Sequence, residues 1–259
     1  MEFALGLEEG IMHRFFVGRE QLNTDNPVIS GTDYNHIHNV LRMRSGEEIL
    51  LSDGENDTEY LCAITGYDTE MEQVLLQVVD IFGNTRELPA RITLFQGYPK
   101  GDKFDMIIQK AVELGVFEIV PVMMKRCVVK LDENKASKKV ERLNAVSLSA
   151  AKQSKRGIVP KVRPVMDMKQ ALQYARQMDY IILPYERASD MEYSKKVMAE
   201  AKNKKSIAVF IGPEGGFEPS EAEAVEEAGG KSISLGHRIL RTETAGMTVL
   251  SLLMYLLEE

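Results

Sequence analysis

The chain is predicted to be an α/β protein of two domains, and three observations carry that prediction. Its first third is a succession of short strand-like runs punctuated by Gly, Asp and Asn. From Arg91 onward, strand-like and helix-like segments alternate, the pattern of a parallel sheet covered by helices. At 259 residues with 44% hydrophobic side chains, it can also bury two cores.

The runs "MHRFFV", "EEILLSDG", "TEYLCAITGY" and "EQVLLQVVDIF" predict strands. A helix interrupts them at "TDYNHIHNVLRM", with Thr32 or Asp33 as cap and Ile37, Val40 and Leu41 on its apolar face. Residues 1–83 are therefore expected to form a small β-barrel domain, and residues 84–259 an α/β domain after the polar "GNTRELPA". In the second part "RITLFQGY" reads as a strand. "GDKFDMIIQKAVELG" then reads as a helix capped by Asp102 and stopped at Gly115. Next come strand "FEIVPV", a long basic helix from Asp132 to Ser154, a helix from Met168 to Gln177 and strand "YIILPY". Helix 189–203, strand "SIAVFIG", helix 219–228, strand "KSISL" and a final helix complete the series.

Composition narrows the function. No apolar run approaches the roughly 18 residues of a membrane span, and "MEFALGLEEG" lacks the basic start of a signal peptide, so a cytoplasmic protein is expected. Cys62 and Cys127 lack the spacing of a disulfide framework or zinc site, and no metal is expected. The net charge is −7, but residues 125–163 hold twelve Lys/Arg against three acids, a local +9 balanced by −16 elsewhere. Such asymmetry favours a surface that faces phosphates over an ordinary solvated helix face.

The stretch "FIGPEGGFEPSE" leaves an apolar strand through Gly212, Pro213, Glu214, Gly215 and Gly216. In an open parallel sheet this is where ligands sit, and glycines let backbone N–H groups come close. Pro219 suits a first helical turn, while Glu218, Glu221 and Glu223 occupy the positive helix end where a phosphate would otherwise bind. Neither GxxxxGK[ST] nor a strand-borne GxGxxG occurs, so a P-loop and a dinucleotide-binding unit are excluded as far as motifs allow. A neutral or cationic ligand fits better, and S-adenosylmethionine, a sulfonium without phosphates, meets that description. A turn that needs glycines only for tight packing is the competing reading. A second stretch, "SLGHRILRTETAG", also leaves a strand through a glycine, with Arg238 and Arg241 flanking Ile239 and Leu240 and with Thr242 as helix cap. Two such exits close in sequence suggest one shared pocket.

These two stretches, with "KGDKFDMIIQKAVELGV", "SAAKQSKR", "HRFFV" and "HIHNVLRMRSGEEILLSDG", closely resemble the RsmE family of ribosomal RNA methyltransferases within the SPOUT superfamily. The resemblance covers nearly the whole chain. It implies a trefoil-knotted C-terminal domain, with the knot within about 207–250, and an N-terminal PUA-like barrel. It also implies S-adenosylmethionine-dependent methylation of N3 of one uridine in 16S ribosomal RNA by a homodimer. Relatives commonly begin near "HRFF", so residues 1–11 are an extension or a start-site choice, and Glu218 stands where Ser is frequent.

As the resemblance implies, the cofactor is expected among three loops. The first includes Leu183, Pro184 and Glu186; the second is Gly212–Gly216; the third holds Leu235, Gly236, Ile239, Leu240, Thr242 and Ala245. Glu243 and Glu186 are the candidate bases for the N3 proton, and Arg241 the candidate partner of the developing uracil anion. Arg14, Arg42 and Arg44 in the barrel, and Lys125, Arg126, Lys152, Lys155 and Arg156 in the basic run, are expected on RNA phosphates. His36 and His38 are expected to be helix-surface or packing residues rather than catalytic ones. The final helix is apolar on most sides, and part of it is expected to be dimer surface. Alternatives at this point are a related enzyme acting on tRNA and a non-catalytic RNA-binding protein.

Overall fold

The computed structural model describes residues 12–84, 86–129 and 133–258; the leading extension, Lys130 and the expected helix start at Asp132 lie outside them. The described residues form two compact units. The first runs through Glu87 and recovers Lys155–Ile158; the second holds Leu88–Ser154 and everything from Val159 onward. The division expected at residue 83 thus falls four residues later, and Lys155 and Arg156 belong with the first unit. Electrostatics explain the recovery. The Glu87 carboxylate accepts hydrogen bonds from the Arg156 guanidinium at 2.5 Å and from the Gly157 and Ile158 N–H groups at 3.1 and 3.2 Å.

In the first unit, β1 (Arg14–Phe16), α1 (Arg19–Leu22), β2 (Val28–Ser30), α2 (Thr32–Asn35), β3 (Glu48–Ser52), β4 (Thr58–Asp68) and β5 (Gln73–Gly83) build a five-stranded sheet in the order β1-β3-β4-β5-β2. Alternating residues such as Ile49, Leu51, Cys62, Ile64, Val74 and Leu76 turn inward onto Phe15 and Ile37. Register shifts in β4 at Leu61/Cys62 and Ile64/Gly66 are of the kind that bends and twists a small sheet. The short α1 and β2 are not anticipated by the periodicity. The helix expected over residues 32–43 is also different. After α2, capped by Gly31 rather than by Thr32 or Asp33, the chain winds as a π-helix over His36–Leu41 and stops at Arg42 with φ 54°. A π turn takes more residues than an α turn, so the apolar spacing no longer repeats one face. Ile37 is fully buried while Val40 is 65% exposed.

In the second unit the elements follow the expected alternation: β6 (Arg91–Gly97), α3 (Lys103–Glu113), β7 (Glu118–Met123), α4 (Glu133–Gln153), β8 (Lys161–Val162), β9 (Met166–Asp167), α5 (Met168–Ala175), β10 (Tyr180–Pro184), α6 (Met191–Ala201), β11 (Ser206–Ile211), α7 (Pro219–Glu227), β12 (Lys231–Ile233) and α8 (Thr242–Leu257). Every pairing is parallel, in the order β12-β10-β11-β6-β7-β8 with β9 also on β7. The central strands are mostly apolar because helices cover both faces, with Thr93, Gln96 and Glu118 as buried polar exceptions. Phe95 of β6 stacks on Phe210 of β11 with ring centroids 4.5 Å apart, and burying each such ring is worth about 1.5–3 kcal/mol. From β6 the order runs one way to β7 and the other way to β11 and β10. A crevice opens at such a reversal, at the carboxyl ends of the strands.

Candidate functional site

The crevice is a cavity of about 380 Å³ whose walls are the segments leaving β10, β11 and β12. Two positions require glycine. Gly236 adopts φ +117°, which side-chain-bearing residues rarely reach, where the chain turns out of β12 toward His237. Gly97, at the end of β6, faces the turn after β11 so closely that a Cβ there would stand 2.5 Å from the Pro213 nitrogen. The start of α8 is locked to the same turn. The Thr242 hydroxyl donates to the Gly212 carbonyl at 2.6 Å and accepts from Gln96 Nε2 at 2.8 Å. Gln96 and Thr242 are buried and Gly212 is half-buried, so the bonds fix the turn against both its neighbours.

The acids flanking the glycine turn are each engaged. Glu214 pairs with Lys103 at 3.2 Å and accepts from the Lys100 N–H at 3.0 Å. Burial pushes its carboxyl up, but backbone N–H groups and the Lys103 ammonium outweigh that and hold it below the usual glutamate value. Glu218 pairs with Arg126 Nε at 2.9 Å, and the same guanidinium donates to the Gly215 carbonyl at 3.0 Å. Glu221 accepts from the backbone N–H groups of Lys125 at 2.7 Å and of Glu218 at 3.0 Å. Glu186 reaches the cavity from the end of β10, exposed and facing Gly216. The cavity therefore offers main chain and apolar side chains, with Glu186, Glu214, Arg238 and Arg241 also in its lining, and its lining lysine, Lys103, is paired with Glu214.

The family described as RNA methyltransferase domain matches residues 86–254, and that described as RNA methyltransferase PUA domain matches residues 29–69. The chain belongs to the RNA methyltransferase family. It is 35% identical over 250 residues to the ribosomal RNA small subunit methyltransferase E of Bacillus subtilis, covering 94% of this chain and 96% of that one. To the same-named protein of Mesomycoplasma hyopneumoniae it is 31% identical, over 93% of this chain and 98% of that one. The crystal structure of a ribosomal RNA small subunit methyltransferase E from Neisseria gonorrhoeae bound to S-adenosyl methionine is 31% identical. It superposes with a TM-score of 0.76 over 92% of this chain and 95% of that one.

In this RNA methyltransferase the cavity is lined by Pro184, Glu186, Gly212, Pro213, Glu214, Gly216, Leu235, Gly236, Ile239, Leu240, Arg241, Thr242 and Ala245. Three expected residues stand off it. Leu183 is fully buried in the sheet core, and Gly215 packs against Arg126. Glu243, on the first turn of α8, is 3.8 Å from Lys103 and has a buried Oε2 without a hydrogen-bond partner. Thr242 lines the cavity as the first helical residue, but the helix cap is Arg241. Sequence reasoning missed Gln96, Gly97 and Lys103. Gly97 could have been found by the rule applied to Gly212 and Gly236, since it too ends a parallel strand. Lys103 carries no such signal.

The expected phosphate contacts of the methyltransferase divide sharply. Arg14 is buried against Glu59, and burial holds its guanidinium below its usual value; Arg156 is 3% exposed on Glu87. Both are corrected to interior ion pairs, because a guanidinium held by a buried carboxylate has no face left for RNA. Arg126 is committed to Glu218 and Gly215. Arg42, Arg44, Lys125, Lys152 and Lys155 are exposed. His38 stacks on Tyr34, with ring centroids 5.3 Å apart, and the exposed His36 meets the edge of Phe15, so the first packs and the second lies on the helix surface. Among the described residues no His/Cys/Asp/Glu group suits a metal ion, and no helix is long and apolar enough to cross a membrane.

Proposed function

We propose that this methyltransferase uses S-adenosylmethionine to methylate N3 of one uridine in the 16S ribosomal RNA of the small subunit. The observation that carries the reading is the backbone-lined, acid-edged cavity at the ends of β10, β11 and β12. Its chemistry suits an uncharged purine beside a cation, and a relative of the same fold is described as bound to that compound. When bound, the sulfonium supplies an activated methyl group. The residues of this chain hold the uracil in line with it and handle the proton. Arg241, exposed on the cavity rim, donates hydrogen bonds to a uracil oxygen as negative charge develops. Glu186 accepts the N3 proton. Glu243 lies off the lining and acts by holding Lys103.

Further parts of the reading rest on surface features. The outward face of α8 exposes Leu252 and Tyr255, and Ile239 on the cavity rim is 85% exposed. A second copy of the chain covers these residues, giving a homodimer. The first unit, with Arg42 and Arg44, grips RNA, and a cytoplasmic location follows from a ribosomal substrate. The knot expected within 207–250 is supported by α8 starting against the turn after β11.

Mass spectrometry of 16S RNA from a strain lacking the gene is expected to show one methyluridine missing and restored by the wild-type gene. In single turnover, Glu186→Gln is expected to slow transfer by about 10²–10⁴-fold with cofactor affinity unchanged, whereas Glu243→Gln keeps most of the rate. Full speed for Glu186→Gln removes it as the base.

A further inference from the structure

We propose that a groove of about 910 Å³ between α5 and the start of α7 holds a single-stranded segment of the RNA substrate, with phosphates on a basic rim and a base on an apolar floor. The proposal rests on the functional reading above and names a contact surface for that substrate. The rim carries Lys125, Lys169 and Arg176, all exposed. Lys169 and Gln173 on α5 and Arg176, its helical-geometry C-cap, are spaced four and three apart, so one face presents them together. The Lys125 ammonium reaches the Ser220 hydroxyl at 2.9 Å across the groove. The floor is apolar: Met168 and Leu172 lie on the sheet core with part of their surface open.

Charge decides the occupant. Among the described residues none of the three rim cations makes an ion pair, unlike Arg126, Arg142 and Arg163. The two acids of the groove are turned to other work. Asp167 caps α5 by accepting from the Gln170 N–H at 2.7 Å, and both Glu221 oxygens accept from backbone N–H groups. An open cationic rim over an apolar floor complements an unpaired nucleotide, whose backbone is anionic and whose base has an apolar face. The groove also lies near the cavity along the chain. Phe217 lines the cavity and Ser220 the groove, three residues later and so at most about 11 Å of chain away.

The test uses the full chain with Lys169→Glu and Arg176→Glu combined. Binding of purified 16S RNA is expected to weaken about tenfold, and the log–log salt slope to shrink by about 1.4, the share of two phosphate contacts on a single strand. KM for RNA is expected to rise with kcat unchanged, and calorimetry is expected to give wild-type affinity for S-adenosylmethionine. Lys169→Arg with Arg176→Lys is expected to bind RNA as the wild type does. On the wild type, a short oligouridylate is expected to compete better than an abasic strand of equal length. Unchanged RNA affinity and salt slope in the charge-reversed protein, with wild-type binding intact, overturn the groove alone. A wild-type protein that binds neither RNA nor S-adenosylmethionine overturns the functional reading with it. Should charge reversal disturb melting, Lys169→Gln with Arg176→Gln removes the same two cations without adding acids, and an unchanged RNA affinity and salt slope in that protein likewise overturns the groove.

Discussion

The glycine turns around the cavity and the basic run of residues 125–163 both stand out in the sequence, and folding treats them in opposite ways. The turns keep their sequence meaning. The segments after β10, β11 and β12 converge on one cavity because parallel strands all deliver their carboxyl ends to the same edge. The basic run loses much of its meaning. Arg126, Arg142, Arg156 and Arg163 are paired with Glu218, Asp105, Glu87 and Glu118, acids far away in the chain. The Lys139 ammonium sits 5.6 Å over the Tyr98 ring. A backbone conformation is set within a few residues, whereas a charge is cancelled by whatever the fold brings near it. That difference separates what the two regions could announce in advance.

The sharpest way to break the comparison is Gly97→Ala. Its new methyl carbon would stand 2.5 Å from the Pro213 nitrogen and 2.9 Å from the Gly212 carbonyl carbon, so the turn must move. Calorimetry is expected to show at least a hundredfold loss of affinity for S-adenosylmethionine, with overpacking costing about 1–3 kcal/mol of stability. Wild-type affinity would mean that the turn does not shape the cavity. Thr242→Val comes next. It leaves the Gly212 carbonyl and a Gln96 N–H short of a partner, and urea denaturation is expected to show a loss of about 1–3 kcal/mol. Cofactor binding is expected to weaken less than in Gly97→Ala. Smallest is Arg142→Ala. Its pair with Asp105 has 2.6 and 2.7 Å contacts, but the arginine side chain is 55% exposed. Stability is expected to change by less than about 1 kcal/mol, and the salt dependence of RNA binding hardly at all. A large fall in salt slope would show that Arg142 faces phosphate despite its partner.

Much of the fold was legible because hydrophobic period survives folding. The strand and helix alternation after Arg91 appears with ends shifted by a few residues, as in α6 over Met191–Ala201 against the expected 189–203. The elements that escaped are short ones. Strand β2 and the pairs β8 and β9 hold two or three residues each, too few to show a period. The π-helix escaped because its apolar spacing imitates an α-helix. In the cavity, the glycines were found by their place at strand ends. Lys103 was not, because it reaches Glu214 and Glu243 from α3, more than a hundred residues away in sequence.

By itself the sequence determined the two-part α/β plan, the parallel sheet and the glycine exits, since all of these follow from local periodicity and local backbone freedom. The tertiary structure alone decided which charges meet solvent. It buried Arg14 and Arg156, engaged Arg126 and left Lys169 and Arg176 open over an apolar groove. The physical reason is range: a dihedral angle is fixed by its neighbours, but an ion pair needs only proximity in space.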